Sequence, residues 1–598
     1  WNALAAEIER VHRELGGAGL RFADVAARFS DPTLAGDASG IFAGFDDGAR
    51  WTALAYVQRE YEATLEAVGR ADAELARMDA LRAGAIAAEH PVWLVGVSEM
   101  PPVTHALVRA AAAHGTPIHA LVHAPAERAG DFDAEGCIRS DVWAIAPVPL
   151  GDEQLAIRDS PADQAGHVVG LLAGLDGAWP ADQISVAVPD AELVPYLEQA
   201  LGSAGVPVRY AAGRAISRTG PYRLLEAMAE YLAGERFDAF TTLLRHPDVA
   251  AWLRRHGESA AGAPVDPDAS IADADAYHTE RLPARFSPPR RRTQGARRPV
   301  ERARDALIGP GETALLAPLR GGKRSLAEWS PLVLDVLVRA YGDRPLIRDR
   351  PGDRPILEAC ERIRDVAAGY HRLPQPLDEE CDAATAIRLI LADVARLDVP
   401  PAPDAAAVEL LGWLELHLDD APVKVVTGFN EPFLPESAHG DALLPDRLRG
   451  ALGLVDNRGR RARDAYRLTA LLHSTAVTHV VAGRRDARGD PLRPSRLMLA
   501  LEGRPLAERV RRFYGEAPGE TLPAGAAPAL VAAGTPPAPA VSAFVLPPEP
   551  TIVLPSPVRR LNVSAFRALL RDPYMFALEY VYGLETVDDS ARELDPLG

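Results

Sequence analysis

The feature that most constrains this chain is a set of six short apolar runs, each bounded by turn residues and flanked by helix-patterned text. They are PVWLVGVSEM from Pro91, PIHALVHA from Pro117, ISVAVPD from Ile184, VPVRYAAG from Val206, VKVVTGF from Val423 and VTHVVAG from Val477. Short strands alternating with helices at close spacing predict parallel sheets, because a parallel pair needs a crossover of a dozen or more residues, usually a helix. The first two runs, joined by the helical stretch THALVRAAAAHG, form one α/β layer, and the other four form a second.

Helical text surrounds and interrupts these layers. Residues 1–90 set apolar residues three and four apart in LAAEIERVHREL, RWTALAYVQREYEATLEAVGRADAELARM and ALRAGAIAAEH, which predicts a helical region. Residues 91–150 hold the first layer. The second is split into 151–220 and 421–505, because patterns such as LAEWSPLVLDVLVRAYG, ILEACERIRDVAAGYHRL and AVELLGWLELHL predict a helical insertion over 221–420. Inside it, residues 256–308 lose periodicity to Pro, Asp and Arg, the composition of an exposed connection. A Pro- and Ala-rich stretch, 506–557, reads as a linker. Residues 558–598 restart a helical pattern, with Asn562 or Ser564 as cap and Phe566, Leu569 and Leu570 on one face.

Several chemistries lack their residues. The nearest approach to a phosphate-binding loop, LAPLRGGKRS, has Ala317 in place of the first glycine of G-x-x-x-x-G-K-S/T and Arg324 in place of the Mg²⁺-binding hydroxyl. It reads as a turn before a helix starting near Ser325, and no ATP site is visible. His105, His114, His119 and His123 lie near one another without an H-E-x-x-H pattern, and Cys137, Cys360 and Cys381 are too far apart for a local zinc motif. No G-x-S-x-G elbow occurs. No run of about 18 apolar residues is present, so no membrane partner is expected. The N-terminal text lacks signal-peptide features, which makes the cytoplasm the expected location. A chain opening on Trp1 and closing on ARELDPLG reads as a piece of a longer protein.

Charge is uneven. The whole chain of 598 residues carries −18, which argues against a polyanion partner. Yet Arg281 to Arg304 holds nine arginines against one acid, Glu301, and Arg447 to Arg496 holds twelve against Asp456, Asp464, Asp486 and Asp490, a balance of +8 in each. Removing both zones from the −18 leaves −34 on the remainder. The second zone is bracketed by predicted strands and is the better candidate for tracking a phosphate backbone with planar guanidinium forks.

Three motifs in that zone carry a resemblance: G-F-N-E-x-x-x-P (Gly428, Asn430, Glu431, Pro435), L-P-D-x-L-R with L-G-L-x-D-N-R (Leu444 to Arg449, Gly453 to Arg458), and R-R-D…G-D-P…P-S-R (Arg484 to Arg496). With RLNVSAFRALLRDPYMFALEY near the C-terminus, they resemble the AddB and RecB-type helicase-nuclease proteins, firmly over 421–598 and loosely from 90. The resemblance implies an α/β fold of two RecA-like, superfamily 1 helicase-like domains with large helical insertions, then the start of a restriction-endonuclease-like PD-(D/E)XK domain at 558–598. Asp572 stands where many relatives place the first cysteine of an iron–sulfur cluster, so that cluster is not expected.

The function it implies is a DNA-binding, ATPase-dead scaffold of a nuclease in double-strand break repair. The Mg²⁺-binding catalytic residues of such an exonuclease would lie outside these residues, and an AddA-like helicase subunit would be the partner. Arg449, Arg458, Arg460, Arg461, Arg463, Arg484 and Arg485 are expected at phosphates, with Asn430 and Glu431 at the edge facing the DNA; loop capping by Asn430 and Glu431 is the alternative. Rival functions are a non-catalytic interaction scaffold for a helicase partner and an ATP-driven DNA helicase.

Overall fold

The first two apolar runs form a parallel pair, β1 (Val92–Val95) and β2 (Ile118–Leu121), joined by a helix over Pro102–Ala113. The second layer is one six-stranded sheet built from β3 (Leu155–Arg158), β4 (Ile184–Ala187), β5 (Val208–Tyr210), β6 (Val408–Leu411), β7 (Val423–Val426) and β8 (Val477–Gly483). Its spatial order is β3-β8-β7-β4-β6-β5, with every pairing parallel. The central strands β7 and β4 are buried at all four residues because helices cover both faces, which is why they read as unbroken apolar text. This computed structural model describes residues 2–30, 47–84, 86, 88–256, 265–286, 298–438, 440–515 and 563–581. The chain divides into two units, Trp1–Leu530 and Val531–Gly598.

Two sheet strands escape the sequence reading. β3 is a four-residue edge strand, and β6 lies inside AVELLGWLELHL, where Val408, Leu410 and Leu411 fit a helical period as well as a strand. The helical insertion therefore ends before β6 rather than at 420. It has its own core, including Phe237, Phe240, Trp329 and Ile387. Chain entry and exit are stitched together by the antiparallel pair Arg214–Ala215 with Asp398–Val399. At that crossing Gly213 sits at φ +82°, where a Cβ would stand 2.1 Å from the carbonyl oxygen of Val399, so only glycine fits.

The N-terminal helices α1 (Asn2–Gly17), α2 (Phe22–Ser30), α3 (Gly48–Ala67) and α4 (Ala73–Ala83) divide the long helical text at a turn before Asp72, which caps α4. They do not close a core alone. Val11, Leu15, Phe22 and Trp51 pack with Leu444, Leu448 and Leu452, so this region is completed by the L-P-D-x-L-R segment. The helix between β1 and β2 is α5. Around the large sheet, α6 (Pro161–Gly174) and α7 (Val194–Ser203) cover one face. Alongside α8 (Asp446–Leu452), α9 (Asn457–Ser474) and α10 (Gly503–Tyr514) contribute to the opposite face through Ala465, Leu468, Leu471 and Phe513. α10 occupies the first residues assigned to the linker: RPLAERVRRFY is amphipathic, and burial of Arg509 and Phe513 holds it on the sheet domain. The rest of the predicted linker, 516–557, lies outside the described residues.

In the second unit a helix spans Val563–Arg571, leaving Phe566 and Leu570 exposed. Asp572 caps the following short helix, Pro573–Phe576, by accepting the N–H groups of Tyr574 and Met575. Asn562 and residues 582–598 lie outside the described residues. Among the described residues no helix is long and apolar enough to cross a membrane.

Candidate functional site

α9 is an arginine-rich helix whose two sides do different work. Asp456 caps it by accepting the Gly459 N–H at 2.7 Å, and its first turn contains no acidic residue. That turn presents Arg458, Arg460 and Arg461. Among the described residues none of the three forms an ion pair, and Arg460 and Arg461 each hold one buried Nη1 without a hydrogen-bond acceptor. Burial, with Arg496 nearby, pushes the Arg461 guanidinium below the usual arginine value. Three cations at the positive end of a helix dipole are mutually unfavourable, and an anion relieves the repulsion.

The next turn faces inward. Arg463 is buried and donates to the fully buried carboxylate of Asp464 at 2.9 Å, to Glu436 at 3.0 Å and to Glu99 at 3.3 Å. Asp464 also accepts from Trp413 Nε1 at 3.0 Å and the Glu436 N–H at 3.1 Å. Arg467, also buried, reaches Ser98 Oγ at 3.3 Å. Arg449 is buried between α1 and the loop before α8: its Nη1 lies 2.7 Å from Glu14 and its Nη2 2.9 Å from Asp441. These contacts correct the expectation for Arg449 and Arg463. Both are internal mortar, already neutralised by carboxylates.

The remaining expected residues gather at the carboxyl ends of β7 and β8. Asn430 is fully buried; its Nδ2 donates to the carbonyls of Gly483 at 2.7 Å and Arg493 at 3.0 Å, and its Oδ1 accepts the Gly483 N–H at 2.8 Å. Glu431 accepts from Arg496 at 2.7 Å and from Ser437 at 3.1 Å. Both brace the bridge between Asn430–Glu431 and Arg493–Pro494, as the loop-capping alternative expects. Arg484 is held by Asp159 at 2.6 Å and by the carbonyls of Phe513 and Arg512. Arg485 is exposed, with one long contact of 3.5 Å to the Gly489 carbonyl. The structure thus brings Arg458, Arg460 and Arg461 together on one turn and leaves Arg485 outward on a separate loop.

The carboxyl edge of a parallel sheet is the usual ligand crevice. Here the turn from β3 into α6 is occupied by its own capping box, Ser160 with Asp163, and Pro161 removes a further N–H. The nearby Asp190 carboxyl is pushed up by burial, opposed by the Glu192 N–H that it accepts and reinforced by the charges of Glu192 and Asp486. LAPLRGGKRS lies elsewhere, in the insertion: Arg324–Ser325 pair antiparallel with Glu380–Cys381, and Ser325 caps the helix Leu326–Tyr341.

Sequence reasoning missed one constellation. His105 on α5 meets Asp133, Glu135 and Cys137 of the loop after β2. The D-x-E-x-C alternation was the available signal, and only the fold supplies the histidine. No family model matches the chain, and no curated protein matches it.

Proposed function

We propose that this chain is a helicase-like scaffold that guides a single DNA strand, with the first turn of α9 as its phosphate contact. The carrying observation is the trio Arg458, Arg460 and Arg461, clustered at a helix N-terminus with no carboxylate partner among the described residues while the neighbouring Arg463 is fully committed. The parallel sheet interrupted by a helical domain supports the helicase-like half of the reading. The resemblance supplies the rest: an ATPase-dead motor scaffold in break repair, a partner helicase subunit, and a Mg²⁺-dependent PD-(D/E)XK nuclease domain opened by the helix at Val563. In that second unit Asp572 Oδ1 accepts the N–H groups of Tyr574 and Met575 and caps the helix that follows.

The test is binding of a labelled oligothymidylate to the full chain across a salt series. Replacing Arg458, Arg460 and Arg461 together by Ala should reduce the slope of log affinity against log salt by about 2, at ~0.7 per lost single-strand phosphate contact. An unchanged slope would overturn the assignment. A second reading, a docking scaffold that does not touch DNA, is favoured by the uncovered apolar residues Trp93, Val95 and Leu121 on one face of the β1–β2 pair. Absence of oligothymidylate binding at low salt would select it.

A further inference from the structure

The loop after β2 is shaped as a binding site. The bridge Phe132↔Ile138 closes it into a short hairpin, and the Ile138 N–H donates to the Ser98 carbonyl at 2.9 Å, which anchors it beside β1. Inside it, Asp133 Oδ1 accepts the N–H groups of Glu135 at 3.0 Å and Cys137 at 2.8 Å, while Gly136 at φ +85° makes the turn possible. With Oδ1 so used, Oδ2 of Asp133 stands 3.2 Å from His105 Nε2, and Glu135 Oε2 stands 2.9 Å from the same nitrogen. The donor atoms of His105, Asp133 and Cys137 all lie within 4.8 Å of one another, and Cys137 is buried.

An imidazole nitrogen, a sulfur and two carboxylate oxygens form a donor set suited to Zn²⁺, with softer and harder ligands mixed. Zinc bonds of ~2.0–2.3 Å in a tetrahedron hold donors about 3.3–3.8 Å apart, so the His105, Asp133 and Cys137 atoms need to close by at most about 1 Å, and Glu135, 2.9 Å from the same imidazole nitrogen, turns in as the fourth donor. The outer contacts that such ligands need are already built. Arg109 grips both oxygens of Glu135 at 2.9 Å each, and backbone N–H groups orient Asp133. Charge closes as well: two carboxylates and a thiolate are balanced by a divalent ion and Arg109.

We propose that His105, Asp133, Glu135 and Cys137 bind one Zn²⁺ in a closed, four-ligand structural site. It locks α5 to the hairpin that carries Phe132, whose ring packs edge-on against Tyr466 of α9 at 5.4 Å. The ion thereby braces the first layer against the arginine helix.

The test uses the full chain, stripped with a chelator and titrated with Co²⁺ alone. One equivalent should bind with a thiolate-to-cobalt charge-transfer band that Zn²⁺ abolishes. The band should vanish in Cys137→Ser and persist in a Cys360→Ser, Cys381→Ser double variant. Absence of the band at saturating Co²⁺, or its survival in Cys137→Ser, would overturn the proposal. If Cys137→Ser does not fold, His105→Gln decides: a Co²⁺ affinity at least ~100-fold weaker supports the site, and an unchanged affinity refutes it.

Discussion

The arginine stretches Arg281–Arg304 and Arg447–Arg496 carry the same net charge of +8 and spend it differently. In the first, Arg281, Arg298 and Arg304 turn onto their own helical domain. Arg298 is held by Asp273 at 2.7 Å and Glu280 at 2.8 Å, Arg281 and Arg298 lie over the Tyr277 ring, and Arg304 lies over Phe286. In the second, α9 divides its charge within three turns, with Arg463 and Arg467 inside and Arg458, Arg460 and Arg461 without an ion-pair partner among the described residues at the start. Net charge measures how many cations a segment has, whereas availability to a phosphate depends on which carboxylates the fold brings to them.

The sharpest way to break this comparison is to remove one inward arginine. Arg463→Ala leaves Asp464 buried with its cation gone, a loss of about 3–5 kcal/mol. Arg458→Ala, five residues earlier on the same helix, should change stability by less than ~0.5 kcal/mol. Urea denaturation of both variants checks the pair, and similar midpoints would erase the distinction.

That distinction shows what the sequence could and could not reveal. Strands rich in Val and Ile, such as β4, β7 and β8, announce themselves because burial on both faces demands continuous apolar text. β6 did not, since four residues beside a helical turn satisfy either period. The insertion was legible as helical text, but its true edge is set by the Arg214–Val399 pairing, a contact between distant segments. The site was legible as charge. Its division was not, because Arg449 is neutralised by Glu14 and Asp441, and Asn430 by backbone groups of Gly483 and Arg493, none of which is a sequence neighbour close enough to signal the pairing.

The inward side also holds His417, fully enclosed beside Arg467 and His123. Burial first, and then the Arg467 charge, bring its imidazole down to about 4. The unfolded imidazole takes its proton near pH ~6.5, so the unfolded state binds more protons between these values. Stability is therefore complete above about 6.5 and falls as the pH drops toward about 4, by up to about 3 kcal/mol. Thermal melts over that range should show the loss, and His417→Phe should flatten it.

On the outward side the effect appears in binding. The triple replacement of Arg458, Arg460 and Arg461 by Ala should weaken oligothymidylate binding roughly a hundredfold at ~0.1 M salt while leaving the melting curve in place. Fluorescence anisotropy against salt separates this from misfolding, because a folding defect lowers the active fraction without changing the slope.

The smallest effect belongs to the first stretch and is the control that gives the comparison its meaning. Arg281 is exposed, with its guanidinium 5.1 Å from the centre of the Tyr277 ring, an arrangement worth about 0.5–1 kcal/mol at such a site. Arg281→Ala should therefore cost less than ~1 kcal/mol in denaturation and leave the salt slope of DNA binding where it was. If that single variant lowers the slope as much as one arginine of α9 does, both +8 stretches meet the strand. The inward packing of the first would then describe its resting arrangement rather than its role, and the DNA path would have to run along the helical insertion as well as the sheet domain.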